Sequence, residues 1–373
     1  MATDIKKSFY FFGASEFQDL LPPLLESLRN GDSCWVCFFN ILDKKNQFYY
    51  YSKEELFSFI EEICIKNKLP IPLMSYYEKE DEDKFKKEYS DIRPYFVFIQ
   101  GIFHKYISWY PVVNLSKLIH FSWCLDGVKN FKHSPYNNII LNVARYEEDL
   151  EPFLKLHAPA VYFGSWAEEH LSYNFVGNIA LPNLNSKKIC FMTETWQSDS
   201  SRPKLQEGSS EHPNAREGKL ARVGLWNKQK GKLIDDVIDF LHDNNFYIIF
   251  KRREKGFPFN KVLGFSNYTS RKFDFVIDKD LYLPSSLFYF PTISDLCLTI
   301  GDNTQGERQL CNFFKKVCPN VAQYQYHKNA FNDISNFVLN EAEFISKKKK
   351  LPSKPKTRPS EMLINYINDR HLI

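Results

Sequence analysis

Ser294-Asp295-Leu296-Cys297-Leu298-Thr299-Ile300 is a short apolar run, Gly301-Asp302-Asn303-Thr304-Gln305-Gly306 is turn chemistry, and Glu307-Arg308-Gln309-Leu310-Cys311-Asn312-Phe313-Phe314 starts a helix. A strand that stops at Gly-Asp-Asn-Thr presents the free N–H groups of the next helix to an open crevice. Unsatisfied donors and the positive end of the helix dipole then point to one spot, which attracts phosphate. The same stretch also reads as an ordinary βα turn capped by Asp302, Asn303 or Thr304, with no ligand.

What surrounds this unit sets its scale. At 373 residues the chain exceeds the rough allowance of ~150 residues per domain and suits two. Hydrophobic residues make up 43% and aromatics 16%, enough for two packed cores and too much for general disorder. Lys plus Arg number 49 against 45 Asp plus Glu, a balance that makes no case for nucleic acid as a partner. No apolar run reaches the ~18 residues of a membrane span, and Met1-Ala-Thr-Asp-Ile-Lys-Lys7 lacks a signal-peptide core. A cytoplasmic protein is expected, in contact with a membrane surface at most. Cys34, Cys37, Cys190 and Cys297 fall in strand-like runs and Cys64 and Cys311 on helical patterns, as small reduced core residues do. Cys34-Trp-Val-Cys37 has redox spacing, but in a strand those two side chains point to opposite faces. Neither cysteine nor histidine spacing supports a metal site.

The chain opens βαβα. Lys7 to Phe12 reads as a strand, Phe17 to Leu28 as a helix with Pro22 and Pro23 in its first turns, Ser33 to Ile41 as a strand and Lys53 to Lys66 as a helix. Such alternation predicts a parallel sheet with its loops gathered at the carboxyl ends of the strands. Further strands are expected at Tyr95–Ile99, Lys117–Trp123, Asn137–Val143 and Ala158–Ser165, with helices at Glu80–Tyr89 and Glu147–Leu156. Glu80-Asp81-Glu82-Asp83 reads as a solvated helix face rather than a D-x-D metal signature, which would follow a strand.

A second sheet begins near Lys187. Strands are expected at Lys188–Thr193, Phe246–Phe250, Phe273–Asp278 and Ser294–Ile300, with an amphipathic helix over Gly231–Asn244. Glu194 to Ala221 is polar and aperiodic, too long for a plain connection, and reads as either a lid over a site or a disordered insertion. The basic, proline-rich stretch from Lys347 to Arg358 reads as a solvated connection or a contact with anionic lipid, and Ser360 to Asp369 as a closing helix capped by Ser360.

Two Rossmann-like halves in succession resemble a GT-B glycosyltransferase. The resemblance runs from about Ser8 to Phe337 and implies an acceptor-side domain over 1–185, a nucleotide-donor domain over 186–340, and a basic linker with closing helix over 341–373. Gly13-Ala14-Ser15-Glu16 followed by Leu20-Leu21-Pro22-Pro23-Leu24-Leu25 resembles the first loop and helix of the Kdo transferases. That resemblance implies Glu16 as catalytic base. The same segment is similar to the first loop of UDP-N-acetylglucosamine 2-epimerases, although their Arg-Pro and their histidine-glutamate loop are absent. Lys251-Arg252-Arg253 resembles the segment ending Lys-Pro-His-Pro in CDP-glycerol glycerophosphotransferases and capsule enzymes, keeping the lysine without the histidine. A His-Gly in those phosphotransferases marks His120 and Asp126 as reserve bases.

By the GT-B resemblance, Asn303, Thr304, Gln305 and Gly306 would contact donor phosphates and Glu307 the ribose hydroxyls, with Lys251 or Arg252 stabilising the departing nucleotide without a metal. The implied activity is metal-independent transfer from a nucleotide-activated sugar to a glycan or lipid-linked acceptor in polysaccharide synthesis, with no further cofactor. Two alternatives are a CDP-glycerol-type phosphotransferase and a GT-B-shaped binding or scaffold protein without turnover.

Overall fold

In the computed structural model the described residues are 7–12, 17–40, 52–78, 80–100, 117–121, 139–144, 146–164, 169, 188–194, 232–251, 273–277, 289–300, 305–324, 329–340 and 357–369. Strand β1 (Lys7–Phe12) is an interior strand of the first sheet. Phe9 enters a cluster with Trp35 and Val97, while Tyr10 enters the opposite one with Leu24 and Phe98. Its apolar run is continuous because both faces are covered.

Helix α1 (Phe17–Arg29) lays Leu20, Leu21, Leu24, Leu25 and Leu28 on the Tyr10 side. Pro22 and Pro23 fall in its second turn, where they deprive the carbonyls of residues 18 and 19 of an intrahelical donor. Tyr10 donates its hydroxyl hydrogen to the Pro23 carbonyl at 3.1 Å, and burial pushes the Tyr10 phenol upward, which keeps it protonated. Gly31, at φ +83°, lets the chain leave the helix, with Asp32 N donating to the Ser27 carbonyl at 2.9 Å.

Six strands join β1: β2 (Ser33–Asn40), β3 (Leu73–Glu78), β4 (Phe96–Gln100), β5 (Lys117–Phe121), β6 (Ile139–Val143) and the two-residue β7 (Ala160–Val161). The order is β3-β2-β1-β4-β5-β6-β7, and every pairing is parallel. Helix α2 (Lys53–Lys66) starts with a reciprocal capping box between Ser52 and Glu55. Helix α3 (Glu82–Ile92) begins two residues later than the charge run suggests. Asp81 precedes it and accepts from Glu78 N at 3.0 Å. A 3-10 turn over Glu147–Asp149 leads into α4 (Leu150–Lys155).

The second sheet contains β8 (Lys188–Glu194), β9 (Phe246–Lys251), β10 (Phe275–Ile277), β11 (Leu296–Ile300) and β12 (Asn320–Tyr324). Its order is β10-β9-β8-β11-β12, again parallel throughout. Helix α5 (232–243) and helix α7 (Ala330–Asn340) cover the face of Met192, Phe250 and Leu298, while α6 (Gln305–Val317) covers that of Phe191, Ile249 and Cys297. Helix α6 therefore starts two residues before Glu307. Glu194 belongs to β8, and residues 195–221 of the expected lid or insertion lie outside the described residues.

One device recurs where strands begin. Asp274, just before β10, accepts from Ile248 N at 2.7 Å, and Asp295, just before β11, accepts from Ile189 N at 2.8 Å. Each carboxylate supplies the partner that a neighbouring strand needs at its start. Asp295→Ala is expected to lower unfolding stability by ~1–3 kcal/mol, and Asp295→Asn, which retains an acceptor, by less; urea denaturation reads the difference.

The seven described cysteines are free and buried. Cys34 and Cys37 lie in opposite clusters, and burial raises both thiols well above the usual range, as it does Cys190 and Cys297. They are core residues rather than a redox pair.

Helix α8 (Pro359–Asp369) returns to the first half, burying Leu363, Ile364 and Ile367 in the cluster of Tyr10 and α1. Ser360 is not its cap. Proline takes the first helical position, where its missing N–H is harmless, and Ser360 donates its backbone N–H to Glu169 Oε2 at 2.9 Å and its hydroxyl to the other oxygen of that carboxylate. Arg358 donates to Glu26 Oε2 on α1 at 2.8 Å and lies 3.5 Å from Glu361. That engagement removes Arg358 from the expected lipid-facing cations, while 347–356 lie outside the described residues.

Candidate functional site

In a doubly wound sheet, successive connections leave the two central strands towards opposite faces, and a crevice opens at the carboxyl ends between them. The second sheet has this switch point between β8 and β11, whose ends align as Ile300 against Glu194. Lys251 ends β9 one strand away, opposite Thr193.

Thr299, Thr193 and Lys251 form a lateral row, one residue from each of three neighbouring strands, on the face covered by α6. The Thr193 and Thr299 hydroxyls are 3.0 Å apart and hydrogen-bonded. Cys311 on α6 donates its thiol hydrogen to Thr299 Oγ1 at 3.8 Å. All three members of the row are buried, Lys251 being 3% exposed. Lys251 is the last residue of β9, and β11, two strands away, ends at Ile300 on the same carboxyl edge of the sheet, ahead of α6.

The backbone N–H groups of Gln305, Gly306 and Glu307 belong to that first turn and have no partner within the helix. Their side chains lie outside the described residues, as do Arg252, Asn303 and Thr304. Of the expected phosphate-binding set, the described residues thus include the Lys251 side chain and the backbone of Gln305, Gly306 and Glu307. Thr193 and Thr299 were missed by sequence reasoning. Their signal was a hydroxyl near the end of an otherwise apolar strand.

The first sheet has its own switch point, between β1 and β4. β1 ends beside it at Phe12, and α1 begins at Phe17. Glu16 itself lies outside the described residues, as does Asp126. Asp19, in the first turn of α1, is buried. His120 stands one residue before the end of β5, next to β4, and is 3% exposed. Its Nδ1 lies 3.0 Å from Asn142 Oδ1 on β6. Among the described residues no group of three or more His, Cys, Asp or Glu could hold a metal, and no helix is long and apolar enough to cross a membrane.

No protein-family model matches the chain, and no curated protein matches its sequence. Solved structures do match over nearly the whole length. The S. aureus MnaA structure with UDP is 12% identical and superposes with a TM-score of 0.58, covering 99% of this chain and 98% of that one. The UDP-GlcNAc 2-epimerase of Methanocaldococcus jannaschii in complex with UDP-GlcNAc and UDP is 14% identical, at 0.54, covering 98% and 100%. The Neisseria meningitidis UDP-GlcNAc 2-epimerase bound to UDP-GlcNAc is 11% identical, at 0.56, covering 98% and 100%. These likenesses support the GT-B architecture and not the narrower resemblance to Kdo transferases or CDP-glycerol enzymes. Two parallel Rossmann-like sheets in succession, matched end to end by such structures, give this chain the GT-B fold.

Proposed function

We propose that the chain is an enzyme that binds a nucleotide-activated sugar in its second domain and transfers the sugar to a glycan or lipid-linked acceptor held by the first. The observation that carries this reading is the switch point of the second sheet. There α6 follows β11, and Lys251 ends β9 on the same carboxyl edge of the sheet; helix N–H groups and a lysine would supply the charge a departing diphosphate requires. Lys251 and the helix dipole would stabilise the nucleotide as it leaves, without calling on a metal. Glu16 would take the proton of the acceptor hydroxyl. The matching structures with UDP or UDP-GlcNAc make a uridine nucleotide the first ligand to try. The cytoplasm, or the inner face of a membrane contacted through the 347–356 cations, is the setting that suits such a donor.

Those same structures favour a second reading, epimerisation of the nucleotide sugar. The chain lacks the Arg-Pro and histidine-glutamate features of the epimerases it resembles, which is why transfer is preferred. Incubation with UDP-GlcNAc separates the two readings. Conversion at C2 without acceptor supports epimerisation, acceptor-dependent release of UDP supports transfer, and binding without either indicates a scaffold.

Glu307 tests the nucleotide site directly. Glu307→Ala is expected to weaken UDP binding by ~10-fold or more, because charge-assisted bonds to ribose hydroxyls are worth roughly 1.5–3 kcal/mol each before compensation by water. Glu307→Gln, still able to accept, should lose about half as much free energy. Unchanged affinity in both variants, by calorimetric titration, would remove Glu307 from the site.

A further inference from the structure

The first sheet ends in a strand with little of the usual protection. β3 pairs with β2 on one side, and no other described strand lies beyond it. An open edge offers a row of backbone donors and acceptors to any extended chain, and proteins blunt it with charge, proline or a bulge. Here Pro70 and Pro72 come before the strand, and its first charged residue is Glu78, the last of the six. Leu73 to Tyr77 carries neither charge nor proline. Three of the five large hydrophobic side chains exposed among the described residues lie in the run 65–73 that leads into it: Ile65 near the end of α2, Ile71 and Leu73, each more than half exposed. The strand is also held in place. Trp35 Nε1 donates to Ser75 Oγ at 3.0 Å, Ser75 Oγ donates to Glu88 Oε2 at 3.3 Å, and Tyr77 donates its hydroxyl hydrogen to the same carboxylate oxygen. An edge fixed in this way needs little ordering before it pairs.

Charge selects the partner. Lys66 and Lys68 precede the strand and are exposed, whereas Glu78-Lys-Glu-Asp-Glu-Asp83 follows with five acids and one lysine. Lys66 lies 3.8 Å from Glu62, and Glu82 pairs with Lys86 at 2.6 Å. Lys68, Glu78 and Glu80 have no ion-pair partner among the described residues. A second copy of the chain, related by a twofold axis through this edge, would lay its β3 antiparallel to the first. The basic start of each strand then meets the acidic end of the other, and a register centred on Ser75 sets Leu73 against Tyr77 of the copy, on one face of the sheet. Parallel pairing would instead set like charges side by side. Head-to-tail growth through the opposite edge would meet β7, which is only two residues long.

We propose that the chain forms a twofold dimer by antiparallel pairing of β3, joining the first sheets of two copies edge to edge. β2 separates this edge from the β1/β4 switch point, so substitutions here touch no residue of the proposed reaction.

Sedimentation equilibrium of the full chain should give twice 44.1 kDa at micromolar concentration, with dissociation favoured by salt. Leu73→Lys puts a charge on the edge at an already exposed position. It should raise the dimer dissociation constant about 10-fold or more while leaving melting of the monomer and UDP affinity at wild-type values. Lys68→Glu and Glu80→Lys should each weaken self-association by about 10-fold, because attraction becomes repulsion at two symmetry-related contacts. Mixed one to one, these two variants should pair with each other at near wild-type affinity, since the mixed dimer has opposite charges at both contacts. Hydrogen exchange should show amides within 73–78 protected in the dimer and less so on dilution. A wild-type chain that stays monomeric up to ~0.1 mM, a dimer indifferent to Leu73→Lys, or charge variants that do not recover on mixing would each overturn the proposal. Failure of UDP to bind would count against the proposed function alone.

Discussion

Glu16→Gln is expected to lower turnover by about 10²-fold or more, the usual scale for loss of a general base, while nucleotide affinity stays near wild type. The expectation rests on position. β1 ends at the switch point of the first sheet, and in the sequence Glu16 is the carboxylate immediately before Phe17, where α1 begins. A carboxylate favoured there only by the helix dipole would cost a few tenths of a kcal/mol when neutralised and would leave catalysis alone. Single-turnover measurement with UDP affinity taken on the same sample distinguishes the two. Turnover at the wild-type rate would move the search for the base to His120 and Asp126.

Glu26→Ala should lower the stability of the first domain by ~2–3 kcal/mol, somewhat below the roughly 3–5 kcal/mol for breaking a fully buried pair. The Glu26 side chain is only 4% exposed and accepts from Arg29 and from Arg358, 332 residues away in sequence. The discount reflects the arginines, whose side chains are 34% and 28% exposed and so keep part of their hydration. Arg358→Met should cost less, because Glu26 keeps Arg29 and the methionine can cover the same apolar surface. A double-mutant cycle read by urea denaturation isolates the coupling, and a coupling near zero would show that α8 is held by Leu363, Ile364 and Ile367 alone.

The strands legible in the sequence are those with both faces covered. β1, β4, β8 and β11 are continuous apolar runs because helices lie above and below them, and their boundaries fall within a residue or two of expectation. The two strands missed, β3 and β12, are both edges. Leu73-Met-Ser-Tyr-Tyr-Glu78 buries only Tyr77, and Asn320-Val-Ala-Gln-Tyr324 mixes polar and apolar residues, because an edge strand is half solvated and loses the signal that marks an interior one. Helix α7 was missed although Ala330, Ile334 and Val338 repeat every four residues along its buried face.

The candidate site was legible only in part, and the reason is register. Nothing local says that Thr193 will meet Thr299, 106 positions later, or that Asn142 will meet His120 and the Pro159 carbonyl. A lone polar residue in a strand becomes informative only once its lateral neighbour is known. The closing helix shows the same limit. Ser360 has the composition of a cap, but its partner is Glu169, which only the return of the chain brings near.

That return has a consequence for synthesis. The first sheet is complete once β7 has emerged from the ribosome, yet the helix that seals the Tyr10 face of its core arrives about 200 residues later. At ~5–20 residues per second the leucines of α1 wait roughly 10–40 s for their last cover. The N-terminal half of this protein is thus the first to be made and the last to be finished, and its exposed face during that interval is where a chaperone would be expected to hold the nascent chain.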